Sequence, residues 1–183
     1  MPYKAYALNL KTSTALTPKM TDDKYYDTIA PAYDELHLEE QSKKLEIIKK
    51  ELKIDKETKL LDVGCGSGIS SQFDCDVTGI DPSEELIKIA EKRVPSAQFM
   101  VENAEALPFE DKSFDAVVSL TAIQNFSNIK KVVEEIKRVG KKQFALSFLK
   151  KSEKAEEIEN LIKEIFPKAK RIEEEKDVIF IIN

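Results

Sequence analysis

The stretch LLDVGCGSGISS, residues 60–71, decides the fold that the sequence predicts. An apolar run passes through an acid, Asp62, and three glycines follow at alternate positions, Gly64, Gly66 and Gly68. Glycine lets the backbone take positive φ angles and approach a ligand closely. A buried strand that runs into a glycine-rich turn is therefore typical of a site for a nucleotide-like ligand.

Apolar strands alternate with amphipathic helices along most of the chain. Strands are predicted at 59–64, 76–81, 97–103, 114–120 and 142–149, and helices at 36–52, 82–94, 128–140 and 152–166. The segment 169–182 predicts two more strands around a tight turn near Glu175 and Lys176. This order indicates a single α/β domain with a Rossmann-like, doubly wound, mostly parallel sheet and a C-terminal antiparallel hairpin. Residues 1–19 show no clear period and are interpreted as a flexible N-terminal extension, with a short packed arm as the alternative, so that the domain covers 20–183.

The composition narrows the class of protein. The chain has 183 residues, of which 42% are apolar and 34% charged, as expected for a soluble globular domain. The net charge of -5 argues against non-specific binding to nucleic acid, although it permits a nucleic-acid substrate. Two cysteines and one histidine are too few for a disulfide framework or a common zinc site, so no metal is expected. The sequence shows neither a membrane-spanning run nor a signal peptide, which predicts a cytoplasmic protein, and its Lys- and Glu-rich charge is typical of heat-adapted proteins.

The glycine spacing and a second acid narrow the choice of ligand. A dinucleotide site has the pattern G-x-G-x-x-G, but here Ile69 stands where the third glycine would be. The Gly-Lys-Ser/Thr of a phosphate-binding P-loop is also absent. Asp81 ends the second predicted strand, where an acid can accept hydrogen bonds from both hydroxyls of a ribose. These features predict a nucleoside ligand without a pyrophosphate.

Several motifs together resemble those of class I S-adenosylmethionine-dependent methyltransferases of the type 11 kind. LLDVGCGSG is similar to the first motif of that family, VTGIDPSEELIKIA to the second, and VENAEALPFEDKSFDAVVS to the third and fourth. YYDTIAPAYDEL resembles the lead-in helix of quinone-biosynthesis methyltransferases, so the similarity runs from about Tyr25 onward. The resemblance implies methyl transfer as the activity and S-adenosylmethionine as the cofactor.

The same resemblance implies which residues contact the cofactor. The methionine end would lie against Asp62, Gly64, Cys65, Gly66 and Gly68. Asp81 would hold the ribose, and the adenine would lie near Pro82, Asn103, Ala104 and Glu105, with Asn103 standing where the family more often has Asp. Ser119, Leu120 and Thr121 would pass beneath the cofactor, and Tyr26, Tyr33 and Asp34 are candidates to close over it.

The segment after the glycine turn is unusually short. Only eight residues, ISSQFDCD, separate Gly68 from Val77, where the family has a longer helix. A helix of one or two turns is predicted here, with its N-terminal amides facing the cofactor carboxylate. This corner of the domain is therefore expected to be thin.

The methyl acceptor should be determined by the residues after the fourth strand, SLTAIQNFSN at 119–128. They lack the polar-Pro-Pro-aromatic motif of methylases that act on adenine or glutamine amines, and neither Cys65 nor Cys75 is placed to act as a nucleophile. The run resembles that of ribosomal RNA guanine-N7 methyltransferases, which implies that Gln124 and Asn125 face the acceptor base; the alternative is that they cap the following helix. His37, the only histidine, is a candidate general base or a surface residue.

The predicted domain has no insertion that would cover a small substrate. An open site favours a large acceptor, RNA or a translation-related protein, and the resemblance to methyltransferases of that kind implies a small zinc-ribbon activator protein as a partner. Two further readings of the sequence stay open: a small-molecule methyltransferase closed by its N-terminal segment, and a non-catalytic cofactor-binding scaffold subunit. Lysines of the last helices could guide an anionic substrate or form a solvated face; they are Lys150, Lys151, Lys154, Lys168 and Lys170.

Overall fold

A seven-stranded sheet forms the centre of the computed structural model, which describes residues 41–183. Its strands are β1 (Lys59–Val63), β2 (Asp76–Asp81), β3 (Gln98–Val101), β4 (Phe114–Ser119), β5 (Gly140–Leu149), β6 (Lys170–Glu173) and β7 (Asp177–Ile182). The spatial order is β3-β2-β1-β4-β5-β7-β6, in which the first five neighbours run parallel. β7 is antiparallel to both β5 and β6, so the hairpin inserts its second strand between them.

Four helices flank the sheet. α1 covers 41–51 of the described residues, and α2 (Glu84–Arg93), α3 (Ile129–Val139) and α4 (Ala155–Ile165) follow. Side chains cap two of these helices: Ser83 Oγ accepts from the N–H of Leu86, and Asn128 Oδ1 accepts from the N–H of Lys131. The predicted α/β, Rossmann-like architecture with a C-terminal antiparallel hairpin is confirmed.

Alternate residues of the strands point to two separate apolar layers. In β1, Leu61 and Val63 join the layer that contains α3 and α4, whereas Leu60 joins the layer that contains Leu45 and Ile48 of α1. Such strands, buried on both faces, are typical of parallel sheets. The sheet therefore presents the carboxyl ends of β1, β2 and β4 at one edge, between the two layers.

Two local predictions were wrong. The chain between β1 and β2 forms turns and no helix, because Ser70 and Ser71 bond to Asp62 and Phe73 turns inward to fill the α1 layer. No helix N-terminus is thus available there for the cofactor carboxylate. Gly140 does not end α3 in a left-handed conformation: it has φ -85° and begins β5, where a Cβ would collide with the ring of Phe144.

The described part of the chain gives no test of the N-terminal predictions. The proposed extension 1–19 and the start of the domain at residue 20 lie outside residues 41–183. Within that described range, no helix is both long and apolar enough to cross a bilayer.

Candidate cofactor and acceptor site

The three glycines of the turn have different surroundings, although all have positive φ (73°, 53° and 81°). A Cβ on Gly64 would lie 2.5 Å from Cβ of Ala122, and one on Gly68 would lie 3.0 Å from Cα of Ala90 in α2. A Cβ on Gly66 would meet no atom within 4 Å. Close packing therefore requires glycine at 64 and 68, whereas Gly66 faces open space where a ligand can approach the backbone.

Asp81 fixes the turn from the end of β2. Its Oδ2 accepts from the N–H of Gly66 at 2.9 Å, and its Oδ1 accepts from the N–H of Ser83 at 3.0 Å. A carboxylate has about four acceptor positions, more than these two bonds use. The predicted ribose acid thus lies directly beside the open face of Gly66.

Asp62 is fully buried at the end of β1. Its Oδ2 accepts from Ser70 Oγ at 2.6 Å and from Ser71 Oγ at 2.7 Å, and its Oδ1 is buried without a hydrogen-bond partner. Burial raises the pKa of Asp62 to about 6; the two serine bonds oppose this shift, and the charge of Asp81 adds to it. A buried carboxylate oxygen without a partner is costly, and a cation can compensate it.

These features fit S-adenosylmethionine. Two carboxylates, Asp62 and Asp81, flank a backbone turn with open space at Gly66. The cofactor carries a sulfonium and an ammonium group, which suit an acidic site, and a ribose, which suits Asp81. Among residues 41–183, no group of His, Cys, Asp and Glu side chains has an arrangement suited to a metal ion.

The predicted adenine-side residues do not all point toward a ligand. Asn103 Oδ1 accepts from the N–H of Glu105 at 2.9 Å, so the side-chain NH₂ is the group left for a base. Glu105 Oε1 instead accepts from the N–H of Asn128, at the start of α3. Ala104 is buried in the core, and Pro82 is exposed beside Asp81.

Cys65 contributes backbone to the turn and not its thiol. The side chain is buried, and its Sγ lies 3.1 Å from the position of a Cβ on Gly79. Burial raises the pKa of Cys65 well above its usual value and that of Cys75 to about 11, so neither thiol forms a ready nucleophile.

The loop after β4 packs directly on the glycine turn. Ser119 Oγ donates to the carbonyl of Val63 at 2.8 Å, and Ala122 and Phe126 lie against Gly64. Leu120 is buried, and Thr121 has a φ of 56°. The acceptor loop and the cofactor turn therefore form one surface.

Gln124 and Asn125 lie in this loop and leave two oxygens unused. Gln124 Nε2 donates to the carbonyl of Thr121 at 2.6 Å, while Gln124 Oε1 and Asn125 Oδ1 are buried without partners. The expectation that these residues cap the next helix is wrong, because Asn128 caps α3. Of the remaining predicted residues, Tyr26, Tyr33, Asp34 and His37 lie outside the described part of the chain.

The sequence analysis missed several residues that build the site. Ser70 and Ser71 follow the turn directly, but their proximity to Asp62 depends on the absence of a helix. Lys44 is buried against Asp177 and Thr121, and a signal existed, since Lys44, Ile48 and Leu52 share one helical face. Lys154 donates to the carbonyls of Gln124 and Phe126, which gives it a local structural role.

Comparison with known proteins identifies the domain. Residues 61–148 match the profile of a family described as a methyltransferase domain. The chain carries a class I methyltransferase domain. The resemblance noted from the motifs and the choice of S-adenosylmethionine as cofactor are thereby confirmed.

Three similar proteins illustrate this relationship. A demethylmenaquinone methyltransferase of Thermotoga maritima is 36% identical over 97 residues, which cover 50% of this chain and 42% of that protein. A putative S-adenosyl-L-methionine-dependent methyltransferase of Methanococcus maripaludis superposes with a TM-score of 0.75 at 18% identity, covering 93% of this chain and 97% of the other. A putative methyltransferase of Haloferax volcanii, solved in complex with the Trm112 methyltransferase activator, gives a TM-score of 0.70 at 16% identity, with 92% and 98% covered.

The chain spans about half the length of the curated relatives that it matches, 49% of one and 42% of another. The two structural neighbours, at less than 20% identity, show a shared fold. The substrate and partners of this chain therefore need arguments from its own site.

The substitutions Gly66→Ala and Gly68→Ala should separate packing from ligand binding. Both place a side chain at positive φ, which costs about 1–2 kcal/mol. Gly68→Ala also collides with the backbone of Ala90, so urea unfolding should show the larger loss of stability for this variant. Gly66→Ala should instead show the larger loss of S-adenosylhomocysteine affinity relative to its loss of stability. Equal effects of the two variants on both measurements would contradict these assignments.

The substitution Asp62→Asn should stabilise the protein in a pH-dependent way. Because burial raises the pKa of Asp62 from 3.8 to about 6, the wild type loses stability as pH rises between these values, and the cost is complete above pH 6. The amide oxygen of asparagine can still accept from Ser70 and Ser71. We expect a gain of about 1–3 kcal/mol at pH 7.5 and little gain near pH 4, measured by urea unfolding. Asp76→Asn, which changes an exposed carboxylate, is the control, and a gain independent of pH would contradict the assignment.

Proposed function

We propose that the chain is an S-adenosylmethionine-dependent methyltransferase whose acceptor binds against the loop after β4. The observation that carries this proposal is the set of unpartnered buried oxygens along one rim. Asp62 Oδ1 lies at the cofactor turn, and Gln124 Oε1 and Asn125 Oδ1 lie in the loop that packs on it. Buried polar atoms are normally hydrogen-bonded, so a cluster of exceptions indicates a place for ligands.

The protein's contribution to methyl transfer is alignment and electrostatics. When bound, S-adenosylmethionine supplies an electrophilic methyl group on a sulfonium, and in-line geometry with the acceptor does most of the catalytic work. Asp81 accepts hydrogen bonds from the ribose, and Asp62 stabilises the positive charge. The NH₂ group of Asn103 donates to a ring nitrogen of the adenine, since its oxygen already caps the turn at Glu105.

The loop after β4 favours an acceptor with N–H groups. Gln124 Oε1 and Asn125 Oδ1 can only accept hydrogen bonds, and guanine offers an N–H and an NH₂ on its Watson–Crick edge. Sequence-specific recognition of RNA uses unstacked bases read in this way. We therefore propose a guanine in RNA as the acceptor, which agrees with the resemblance of SLTAIQNF to guanine-N7 methyltransferases.

A small-molecule acceptor is the second candidate. It is favoured by the 36% identity to a demethylmenaquinone methyltransferase. The hydroxyls of a reduced quinone would also donate to Gln124 and Asn125. A translation-related protein acceptor would instead carry the transferred methyl group in a protein fraction, and a non-catalytic scaffold subunit would transfer none.

A small zinc-ribbon activator is the partner that we propose. The domain is compact, with short connections at the cofactor rim, and the Haloferax volcanii neighbour was solved with the Trm112 activator. The test is a pull-down with the purified full chain from its source cell, followed by mass spectrometry. Recovery of a small zinc-ribbon protein would support the proposal, and recovery of none would contradict it.

Substituting Asp81 with alanine should abolish most cofactor binding. Loss of hydrogen bonds to a charged acceptor costs about 1.5–3 kcal/mol, so the Kd for S-adenosylhomocysteine should rise at least about tenfold in calorimetry. Asp76→Ala is the matched control, since Asp76 is an exposed acid at the opposite end of the same strand. Wild-type affinity in Asp81→Ala would refute the site, and no binding of millimolar ligand by the wild type would refute the enzyme.

The acceptor class can be read from the destination of a labelled methyl group. Wild-type protein and labelled S-adenosylmethionine are incubated with total RNA, protein and small-molecule fractions of the source cell. We expect label in RNA, and we expect Gln124→Leu to reduce this incorporation while S-adenosylhomocysteine affinity is unchanged, because Gln124 lies in the acceptor loop. Label in the quinone-containing fraction alone would favour the second candidate.

A further inference from the structure

A buried polar network joins four elements at the carboxyl edge of the sheet. Lys44 Nζ in α1 donates to Asp177 Oδ2 at 3.0 Å and to Thr121 Oγ1 at 2.6 Å. Thr121 Oγ1 in turn donates to Asp177 Oδ1 at 2.9 Å, and the N–H of Thr121 donates to Ser147 Oγ at 2.9 Å. Lys44 and Asp177 are each 1% exposed, so the charges are shielded from water.

Thr121 occupies an unfavourable backbone conformation at the centre of this network. Its φ is 56°, a left-handed value that is rare for a β-branched residue. Such conformations cost free energy and persist only where the surroundings impose them. Here the surroundings hold both the backbone N–H and the hydroxyl of Thr121.

The ion pair itself is an inefficient way to stabilise a fold. Removing two charges from water costs several kcal/mol per ion, and a well-packed apolar pair often serves as well. Burial lowers the pKa of Lys44 below its usual value, and Asp177 opposes this shift, which reflects the cost of desolvation. The directional bonds from both charges to one hydroxyl give the pair a geometric role that an apolar pair could not perform.

The conformation of Thr121 also directs the acceptor loop. Its carbonyl accepts from Gln124 Nε2 at 2.6 Å, which leaves Gln124 Oε1 as the unpartnered end of the amide. Lys154 holds the other side of the loop through the carbonyls of Gln124 and Phe126, at 3.1 and 3.2 Å. The orientation of the Gln124 side chain is thus fixed through Thr121.

We propose that Lys44 and Asp177 are positioning residues, which hold Thr121 in its left-handed conformation and thereby aim Gln124 Oε1 at the methyl acceptor. The proposal rests on the proposed function for the meaning of Gln124, but its geometry can be tested without any acceptor. It gives α1, a helix that supplies no predicted ligand contact in the described chain, a direct connection to the acceptor loop.

The test compares two double substitutions that each remove a lysine–carboxylate pair anchored on α1. Lys44→Met with Asp177→Leu removes both buried charges together and leaves neither unpaired. Lys170→Met with Glu51→Leu is the matched control, since Lys170 Nζ lies 2.7 Å from Glu51 Oε1 and joins α1 to β6 away from the loop. Native-state amide hydrogen exchange, NMR of the Gln124 side-chain amide and S-adenosylhomocysteine affinity are measured on the full chain.

The buried-pair variant should loosen the loop alone. We expect the amides of Asn125 and Phe126 to exchange at least about tenfold faster and the Gln124 amide resonances to shift, while the affinity for S-adenosylhomocysteine stays within about twofold. The control should change none of these quantities. Unchanged loop exchange, or equal acceleration across β5 and β7, would overturn the positioning role.

A single substitution keeps the proposal falsifiable if the double variant does not fold. Thr121→Val retains the shape of the side chain and removes the hydroxyl, so it should reproduce the faster loop exchange, and Thr121→Ser should restore slow exchange. Wild-type exchange in Thr121→Val would overturn the proposal. Cofactor affinity reports separately on the proposed function, because it does not depend on the loop geometry.

Discussion

The glycine turn after β1 is held between two neighbouring parts of the domain, and the geometry of the site depends on this constraint. On one side the turn touches the loop after β4 at Ala122, and on the other it touches α2 at Ala90. Side chains at Gly64 or Gly68 would push these elements apart, so the backbone itself must form the contact surface. The open side of the turn is at Gly66, next to Asp81, and a ligand placed there is necessarily close to the acceptor loop.

Electrostatics complement this packing. Asp62 is buried with one oxygen satisfied by two serine hydroxyls and the other by none. The protein thus retains a carboxylate whose burial raises its pKa, at a cost in stability that an asparagine would avoid. Proteins commonly accept such costs where a charged ligand compensates them. The turn, the serines and Asp62 form one unit, and the shortened connection to β2 is what brings the serines to the carboxylate.

The sequence was sufficient for the architecture and for the cofactor class. Periodicity located the helices and strands of residues 41–183 to within a few positions, because strands buried on both faces and amphipathic helices have strong patterns. It failed between β1 and β2, where tertiary bonds from Ser70 and Ser71 replaced a local helix. It also failed at Gly140, where the ring of Phe144, and not a helix end, requires glycine. The Lys44–Asp177 pair was not predicted because its partners are 133 residues apart and neither belongs to a motif.

That separation has a consequence for how the protein is made. Asp177 opens β7, whose antiparallel direction brings its first residue to the edge where the parallel strands end. A ribosome that adds about 5–20 residues per second reaches Asp177 on the order of ten seconds after Lys44. During that interval α1 and the first strands can associate, but Thr121 lacks the carboxylate that holds its hydroxyl. The acceptor loop therefore takes its final shape only late in synthesis, and a nascent chain could bind cofactor before it is able to position an acceptor.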